Sequence, residues 1–208
     1  MTDQYAVMGN PVAHSKSPRI HSMFAEQTGE DIEYSAILVE HAGFPDAVAE
    51  FVAGGGKGLN ITVPFKEDAW DLAATHSPRA ERAGAVNTLL LDPGGNHFGD
   101  NTDGVGLVRD LTRNHHCEIA GRRVLLVGAG GAARGVLEPL LGAHPASLVI
   151  ANRTASKAVE LARRFGDLGR VAGCGLDDIS GQAFDLVINA TAASLLGAVP
   201  ALPESVIS

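Results

Sequence analysis

A chain of 208 residues in which 45% are apolar carries enough apolar mass for a buried core, which sets aside disorder and fibrous structure. Its formal charge of −8, with no concentrated Lys/Arg run, argues against a nucleic-acid protein, and no stretch is long and apolar enough to span a bilayer. Aromatic residues make up only 5% against 25 glycines, a balance that suits helix-on-sheet packing with glycine-rich loops rather than a β-sandwich, so an α/β class is expected.

The first half alternates short apolar runs with helical patterns. Tyr5–Met8 reads as a strand, Pro18–Thr28 as a helix, Tyr34–Val39 as a strand, Phe44–Ala53 as a helix and Leu59–Val63 as a strand, with a helix around Lys66–Thr75. A β-α-β-α-β-α series implies a largely parallel sheet. Val86–Leu91 and the residues near His97–Phe98 flank the turn composition Asp92-Pro93-Gly94-Gly95-Asn96, which predicts a closing hairpin.

A second series follows: a helix over Val105–Asn114, the strand Arg123–Val127, a loop at Gly128–Gly131, a helix to Gly142, the strand Leu148–Ala151, another helix, and the strand Leu186–Asn189. This is a Rossmann-like βαβ arrangement. Two domains are therefore expected, residues 1–104 and 105–208, with a cleft between them. The start of the chain has neither a positive n-region nor an apolar h-region, so a cytoplasmic location is expected. Cys117 and Cys174 lack the spacing of a zinc or redox pair, and His115–His116 reads as a solvated pair, so no metal is expected.

Where the apolar strand Val124–Val127 gives way to a helix, Gly128-Ala129-Gly130-Gly131-Ala132-Ala133 forms a GxGxxA pattern. Glycines there turn the chain sharply and bring backbone N–H groups and a helix N-terminus up to a pyrophosphate, so dinucleotide binding is a better reading than a plain connector. The end of the next strand decides between nicotinamide cofactors, because an acid there would bind the ribose hydroxyls and repel a 2′-phosphate. The residues are Asn152-Arg153-Thr154, with Lys157 one turn on, and they favour NADP over NAD.

Four polar clusters mark the first half. Ser15 and Ser17 lie two residues apart, which in an extended segment puts both hydroxyls on one side, and Ser17 before Pro18 reads as an N-cap with proline at N1. Hydroxyls at a helix N-terminus suit a carboxylate, although capping alone accounts for them. Asn60 and Thr62 share one face of an apolar strand, where burial without partners would be costly. Lys66 opens a helix whose dipole should lower its pKa, unless it is an exposed lysine paired with Glu67. Ala85-Val86-Asn87-Thr88 and Gly99-Asp100-Asn101-Thr102-Asp103-Gly104 complete the set, each explicable singly as turn chemistry.

Together GNPVAHSKSPRIHSMF, GLNITVPFKE, GAVNT, NTDG, GAGGAARG, NRT and NATAASLLG resemble the shikimate dehydrogenase family in both sequence and order, over almost the whole chain. The resemblance implies a substrate domain followed by an NADP-binding Rossmann domain. It implies the reversible, NADPH-dependent reduction of 3-dehydroshikimate to shikimate, on the route to chorismate and the aromatic amino acids. By the same resemblance Ser15 and Ser17 hold the substrate carboxylate, Asn60, Thr62, Asn87 and Asp103 hold ring hydroxyls, and Lys66 and Asp103 form the catalytic pair. Gly128, Ala129, Gly130, Gly131, Ala132, Asn152, Arg153, Thr154, Lys157 and Thr191 fall to the cofactor, with Thr191 near the nicotinamide, and a homodimer is a common family assembly.

Family members continue beyond the point where this sequence stops, so the chain resembles a member lacking the C-terminal part, and Val199–Pro203 is expected to be an extended loop with nothing to pack against. Ala192 stands where the family usually has serine. Two rivals remain at this point: a quinate/shikimate dehydrogenase of relaxed choice, and a protein that binds NADP or substrate without turnover.

Overall fold

The computed structural model describes residues 2–193 together with 202, 203 and 206. The chain divides into two compact units, residues 1–101 and 102–208. The division falls between Asn101 and Thr102, whereas the sequence suggests one just after Gly104.

The first unit contains β1 (Asp3–Gly9), α1 (Ser17–Thr28), β2 (Ile32–Leu38), α2 (Phe44–Ala53), β3 (Gly56–Ile61), α3 (Lys66–Leu72), β4 (Thr75–His76), α4 (Pro78–Ala83), β5 (Thr88–Leu90) and β6 (Phe98–Asp100). Its six-stranded sheet runs β2-β1-β3-β5-β6-β4. The parallel expectation holds for β2-β1-β3 and for the edge pair β6-β4, and fails between them, where β5 pairs antiparallel with both β3 and β6. That antiparallel β5–β6 pair is the hairpin that the Asp92–Asn96 turn foretells.

Apolar residues of one sheet face, Ala6, Met8, Leu59, Ile61 and Leu89, bury against Phe44 and Val48 of α2 and Phe65 and Ala69 at α3. Phe44 and Phe65 stack with centroids 5.1 Å apart. α1, by contrast, has no buried residue and exposes Ile20, Met23 and Phe24.

α3 is shorter than the pattern over Lys66–Thr75 suggests. Ala73 takes an extended conformation, and the N–H groups of Ala74 and Thr75 donate to the carbonyl of His97 at 2.9 and 3.3 Å. Sheet pairing with β6 thus overrides continuation of the helix. α4 escapes the periodicity altogether, yet its signals are local: Ser77 accepts a hydrogen bond from Ala80 N at 3.2 Å, proline follows the cap, and Gly84 closes the helix at φ 58°.

Arg79 of α4 forms a bidentate pair with Asp100 at the end of β6, and the Ser77 hydroxyl donates to the same carboxylate. The arginine's hydrogen bonds, aided by those from Ser77 and the Asn101 N–H, hold the Asp100 carboxyl down at about 2. Folded Asp100 therefore binds a proton more weakly than unfolded Asp100, so its stabilisation is complete above about pH 4 and lost as pH falls through about 2. The wild-type melting temperature should fall over that window, and Asp100→Asn should flatten the fall while lowering the neutral-pH value.

The second unit contains α5 (Asp103–Arg109), β7 (Arg123–Val127), α6 (Gly131–Gly142), β8 (Ser147–Asn152), α7 (Ala155–Arg164), β9 (Val171–Gly175) and β10 (Leu186–Asn189). The sheet order is β10-β7-β8-β9, and every pairing is parallel. This is the first half of a doubly wound dinucleotide fold. β7 reads as a continuous apolar run because it is buried on both faces: Val124 and Leu126 pack under α6 and α7, and Leu125 and Val127 against Ile179 and Phe184. β9, Val171-Ala-Gly-Cys-Gly175, lacks any strand signature in the sequence and owes its conformation to pairing with β8.

The helix expected over Val105–Asn114 begins earlier, at Asp103, and ends in a wider turn over Asp110–Asn114, where His115 N donates to Asp110 O at 3.1 Å. α5 packs on α6 at close range: a Cβ on Gly104 would stand 2.4 Å from the Gly135 carbonyl oxygen and 2.9 Å from Val136 Cα. Backbone cannot yield as a flexible side chain can, so Gly104→Ala should cost about 1–3 kcal/mol, readable as a lower denaturant midpoint.

The segment Val199–Pro203 lies mostly outside the described residues. What is described corrects the expectation that nothing remains for it to pack against: Val206 is buried at 4% exposure beside Leu125, Val127 and Phe184, Leu202 packs on the same cluster, and Phe184 N donates to Val206 O at 2.9 Å. Among the described residues no helix is long and apolar enough to cross a membrane.

Candidate active site

In the first unit the polar residues singled out by the sequence gather at the ends of β3, β5 and α1. Ser15 and Ser17 are joined directly, although not as the sequence suggests. Lys16, in a helical conformation, is the N-cap of α1, so Ser17 is the first helical residue and Pro18 the second. Ser17 N donates to Ser15 Oγ at 3.3 Å, so Ser15 supplies the oxygen that satisfies the helix start. The reading of Ser17 as N-cap in an extended segment is thereby corrected: the chain has already turned at Ala13–His14, where Ser15 N donates to Val12 O at 2.9 Å.

Asn60, half-buried on β3, is the centre of a row of hydrogen bonds. The Tyr34 hydroxyl donates to Asn60 Oδ1 at 2.6 Å, and Asn60 Nδ2 donates to Thr88 Oγ1 at 3.3 Å and to the Asn87 carbonyl at 3.4 Å. Thr88 Oγ1 in turn donates to Asn87 Oδ1 at 2.9 Å. The row runs Tyr34, Asn60, Thr88, Asn87. Burial pushes the Tyr34 phenol up to about 12, with the nearby Ser17 hydroxyl opposing. Tyr34 is the member that the sequence pattern passes over. Its signal was the one aromatic residue of β2, since a half-buried phenol needs a partner for its hydroxyl.

Thr62 follows β3 by one residue, its N–H still bonded to Met8 O at 2.9 Å, and it shares the Asn60 side of the chain. Asn87 is 8% exposed, held by its N–H to Asp100 O at 3.0 Å and by Ile61 N to its carbonyl at 2.8 Å. Asn101, 2% exposed, donates to Ala85 O at 2.9 Å and braces the same loop from within. Lys66 is half-buried at the first position of α3, its carbonyl accepting from Val86 N at 2.8 Å, so the lysine is tied to the loop that carries Asn87. Glu67 is exposed beside it.

In the second unit Asp103, half-buried, opens α5 with Thr102 as the preceding cap residue. The glycine-rich loop joins β7 to α6. Gly128 sits at φ 114°, and a Cβ there would stand 2.9 Å from the Ala190 carbonyl oxygen, so glycine alone fits this turn. Gly130 is different: a Cβ there would meet nothing within 4 Å, leaving its backbone approachable. Gly131 begins α6, whose first turn holds no acidic residue and whose N-cap Gly130 offers no side-chain bond, a helix start that suits an anion. Ala129 and Ala132 complete the loop with side chains too small to close it.

At the end of β8 the Asn152 amide donates to Thr154 O at 3.0 Å and folds the chain over into α7, whose first turn has no acid. Arg153 and Lys157 are exposed there. An anion-favouring helix start and two cations, with no carboxylate to bind ribose hydroxyls, fit a nucleotide bearing a 2′-phosphate. Thr191 follows β10, its N–H and hydroxyl both bonded to Asn189 Oδ1 at 3.0 and 2.7 Å. It stands against the loop, with Thr191 Cγ2 3.3 Å from the position a Gly128 Cβ would take. Ala192 is exposed, and the remainder of NATAASLLG after Ala193 lies outside the described residues. Among the described residues no three His, Cys, Asp or Glu side chains converge as metal ligands.

Comparison with known proteins places these features in a common frame. Residues 7–89 match the family profile described as the shikimate dehydrogenase substrate binding domain, and residues 110–197 that of shikimate / quinate 5-dehydrogenase. The chain is 59% identical over 208 residues to the shikimate dehydrogenase (NADP(+)) of Alkalilimnicola ehrlichii, an alignment that covers 100% of this chain and 76% of that protein. Among solved structures, an Ael1 enzyme from Pseudomonas putida matches with a TM-score of 0.85 and 46% identity, over 97% of this chain and 74% of that one. Shikimate 5-dehydrogenase from Thermus thermophilus, in complex with NADP(H) and shikimate, matches with a TM-score of 0.83 and 34% identity, over 99% of this chain and 76% of that one.

Proposed function

The chain belongs to the shikimate dehydrogenase family, and from that premise we propose how its residues carry out the NADP-dependent interconversion of shikimate and 3-dehydroshikimate. It is an oxidoreductase of the shikimate pathway, and NADP is its cofactor. The observation that carries the reading is the 59% identity over all 208 residues.

In our reading Ser15 and Ser17 take the substrate carboxylate at the start of α1, where the helix dipole favours an anion. Asn60, Thr62 and Asn87 take the ring hydroxyls, and Asp103 is assigned to them as well. NADPH, when bound, supplies the hydride for the ring ketone. Lys66 gives a proton to the ketone oxygen as it becomes a hydroxyl, and in the reverse direction takes it back. Asp103 is assigned with Lys66 to the catalytic pair. The loop Gly128–Ala132 receives the pyrophosphate, Asn152, Arg153, Thr154 and Lys157 the adenosine 2′-phosphate, and Thr191 lies toward the nicotinamide. We place the enzyme in the cytoplasm, as a homodimer, with neither nucleic acid nor membrane as a partner.

Selectivity separates this reading from a relaxed quinate/shikimate enzyme. Initial rates with shikimate or quinate, each with NADP or NAD, should give the highest kcat/KM for shikimate with NADP. A quinate rate equal to the shikimate rate, or an equal rate with NAD, would transfer the chain to the relaxed class. Binding of shikimate by calorimetry without any turnover would make it a binding protein.

A further inference from the structure

The row of hydrogen bonds in the first unit has a fixed direction. Asn87 O is a carbonyl and accepts only, so the Asn60 atom facing it at 3.4 Å must be Nδ2. Asn60 Oδ1 then faces Tyr34, and at 2.6 Å it accepts the phenol's single proton. The phenol cannot swing away easily: its ring lies parallel to His21, with centroids 4.1 Å apart and an angle of 8°. His21 is itself held by Nδ1 donating to the Ser17 carbonyl at 2.9 Å, one helical turn back on α1.

We propose that Tyr34 is the positioning residue of the hydroxyl subsite, setting the hydrogen-bonding polarity of Asn60 through its hydroxyl. The inference rests on the substrate role assigned above to Asn60. Donation to Asn60 Oδ1 holds the amide so that its NH2 points toward Thr88 and Asn87, which fixes what a ring hydroxyl meets there. Tyr34 thus strengthens the hydroxyl subsite.

Tyr34→Phe keeps the ring and its stacking on His21 but removes the hydroxyl. The expected result is a rise of about 5- to 10-fold in KM for shikimate, as for loss of one hydrogen bond of ordinary strength. The values of kcat, KM for NADP and melting temperature should stay close to wild type. In an Asn60→Ala background the hydroxyl has no amide left to hold, so adding Tyr34→Phe should leave KM unchanged. A merely structural tyrosine would instead add its loss in both backgrounds and move melting temperature and both KM values together, which overturns the proposal.

A second variant guards against poor folding of Tyr34→Phe. The sequence holds two tyrosines, so in Tyr5→Phe protein a fluorotyrosine label reports on Tyr34 alone. The more acidic phenol donates more strongly to Asn60 Oδ1, which should lower KM for shikimate. An unchanged or raised KM counts against the proposal. Shikimate binding by calorimetry accompanies each variant: wild type that neither binds nor turns over shikimate overturns the functional reading and this inference together. Normal wild-type behaviour with an unaffected Tyr34→Phe overturns this inference alone.

Discussion

Lys66→Ala should lower kcat for shikimate oxidation by about 10²- to 10⁴-fold, with a much smaller change in KM and none in NADP binding. The side chain is half-buried at the first position of α3, and its backbone, not its ammonium, makes the bond to Val86 N at 2.8 Å. Alanine keeps that bond and suits a helix, so the seven-residue α3 and the loop behind it should stand. What disappears is the group to which we assign the proton at the substrate oxygen. A loss confined to kcat would mark an interaction made in the transition state, whereas a matching rise in KM with kcat preserved would make Lys66 a binding residue only. Steady-state rates, with melting temperature as the control for folding, decide between these outcomes.

Arg153→Ala should weaken NADP binding by about 10- to 150-fold and leave NAD binding within about twofold. The estimate follows from about 1.5–3 kcal/mol for hydrogen bonds to a charged group. Arg153 is exposed at the end of β8 and Lys157 is exposed one turn into α7, in a helix whose first turn carries no acid. A guanidinium grips a phosphate through two parallel N–H bonds, so the arginine should contribute more than the lysine. Because both cations are exposed, the preference for NADP should also shrink as salt is raised, and Arg153→Ala should remove much of that dependence. Calorimetric titration with each nucleotide, at low and high salt, reads both effects. Equal losses for NADP and NAD would move Arg153 away from the 2′-phosphate.

The parts of this molecule that could be read from its residues were those in which one local rule acts. Val124–Val127 is apolar throughout because β7 is buried on both faces, and Gly128 is glycine because its φ of 114° and the nearby Ala190 carbonyl leave no room for a Cβ. The hairpin at Asp92–Asn96 followed from turn chemistry in the same way. Other features depended on partners remote in sequence. α3 stops at Leu72 because the His97 carbonyl captures the next N–H groups, and β9 is a strand only because β8 lies beside it. Ser17 looks like a cap beside Pro18, yet the turn at Ala13–His14 moves that task to Ser15 Oγ. α4 was legible from Ser77-Pro78 and Gly84 to a reader of caps rather than of periodicity.

For the site itself, spacing in the strand identified Asn60 and Thr62 as unusual because polar side chains on one face need partners. It could not say what those partners were. Tyr34 reaches Asn60 past the intervening β1, a pairing set by the sheet order β2-β1-β3. No distance along the chain encodes it. In the cofactor half the turn at Gly128 and the fold-over at Asn152–Thr154 were legible because local backbone and adjacent side chains set them.

The most direct measurement is NADPH formation by the wild-type chain supplied with shikimate and NADP, with the carbon product identified. The account predicts saturable turnover that yields one 3-dehydroshikimate per NADPH and falls by about 10²- to 10⁴-fold in Lys66→Ala. A folded chain that binds NADP yet forms no NADPH from shikimate, or forms it equally well after Lys66→Ala, would contradict it.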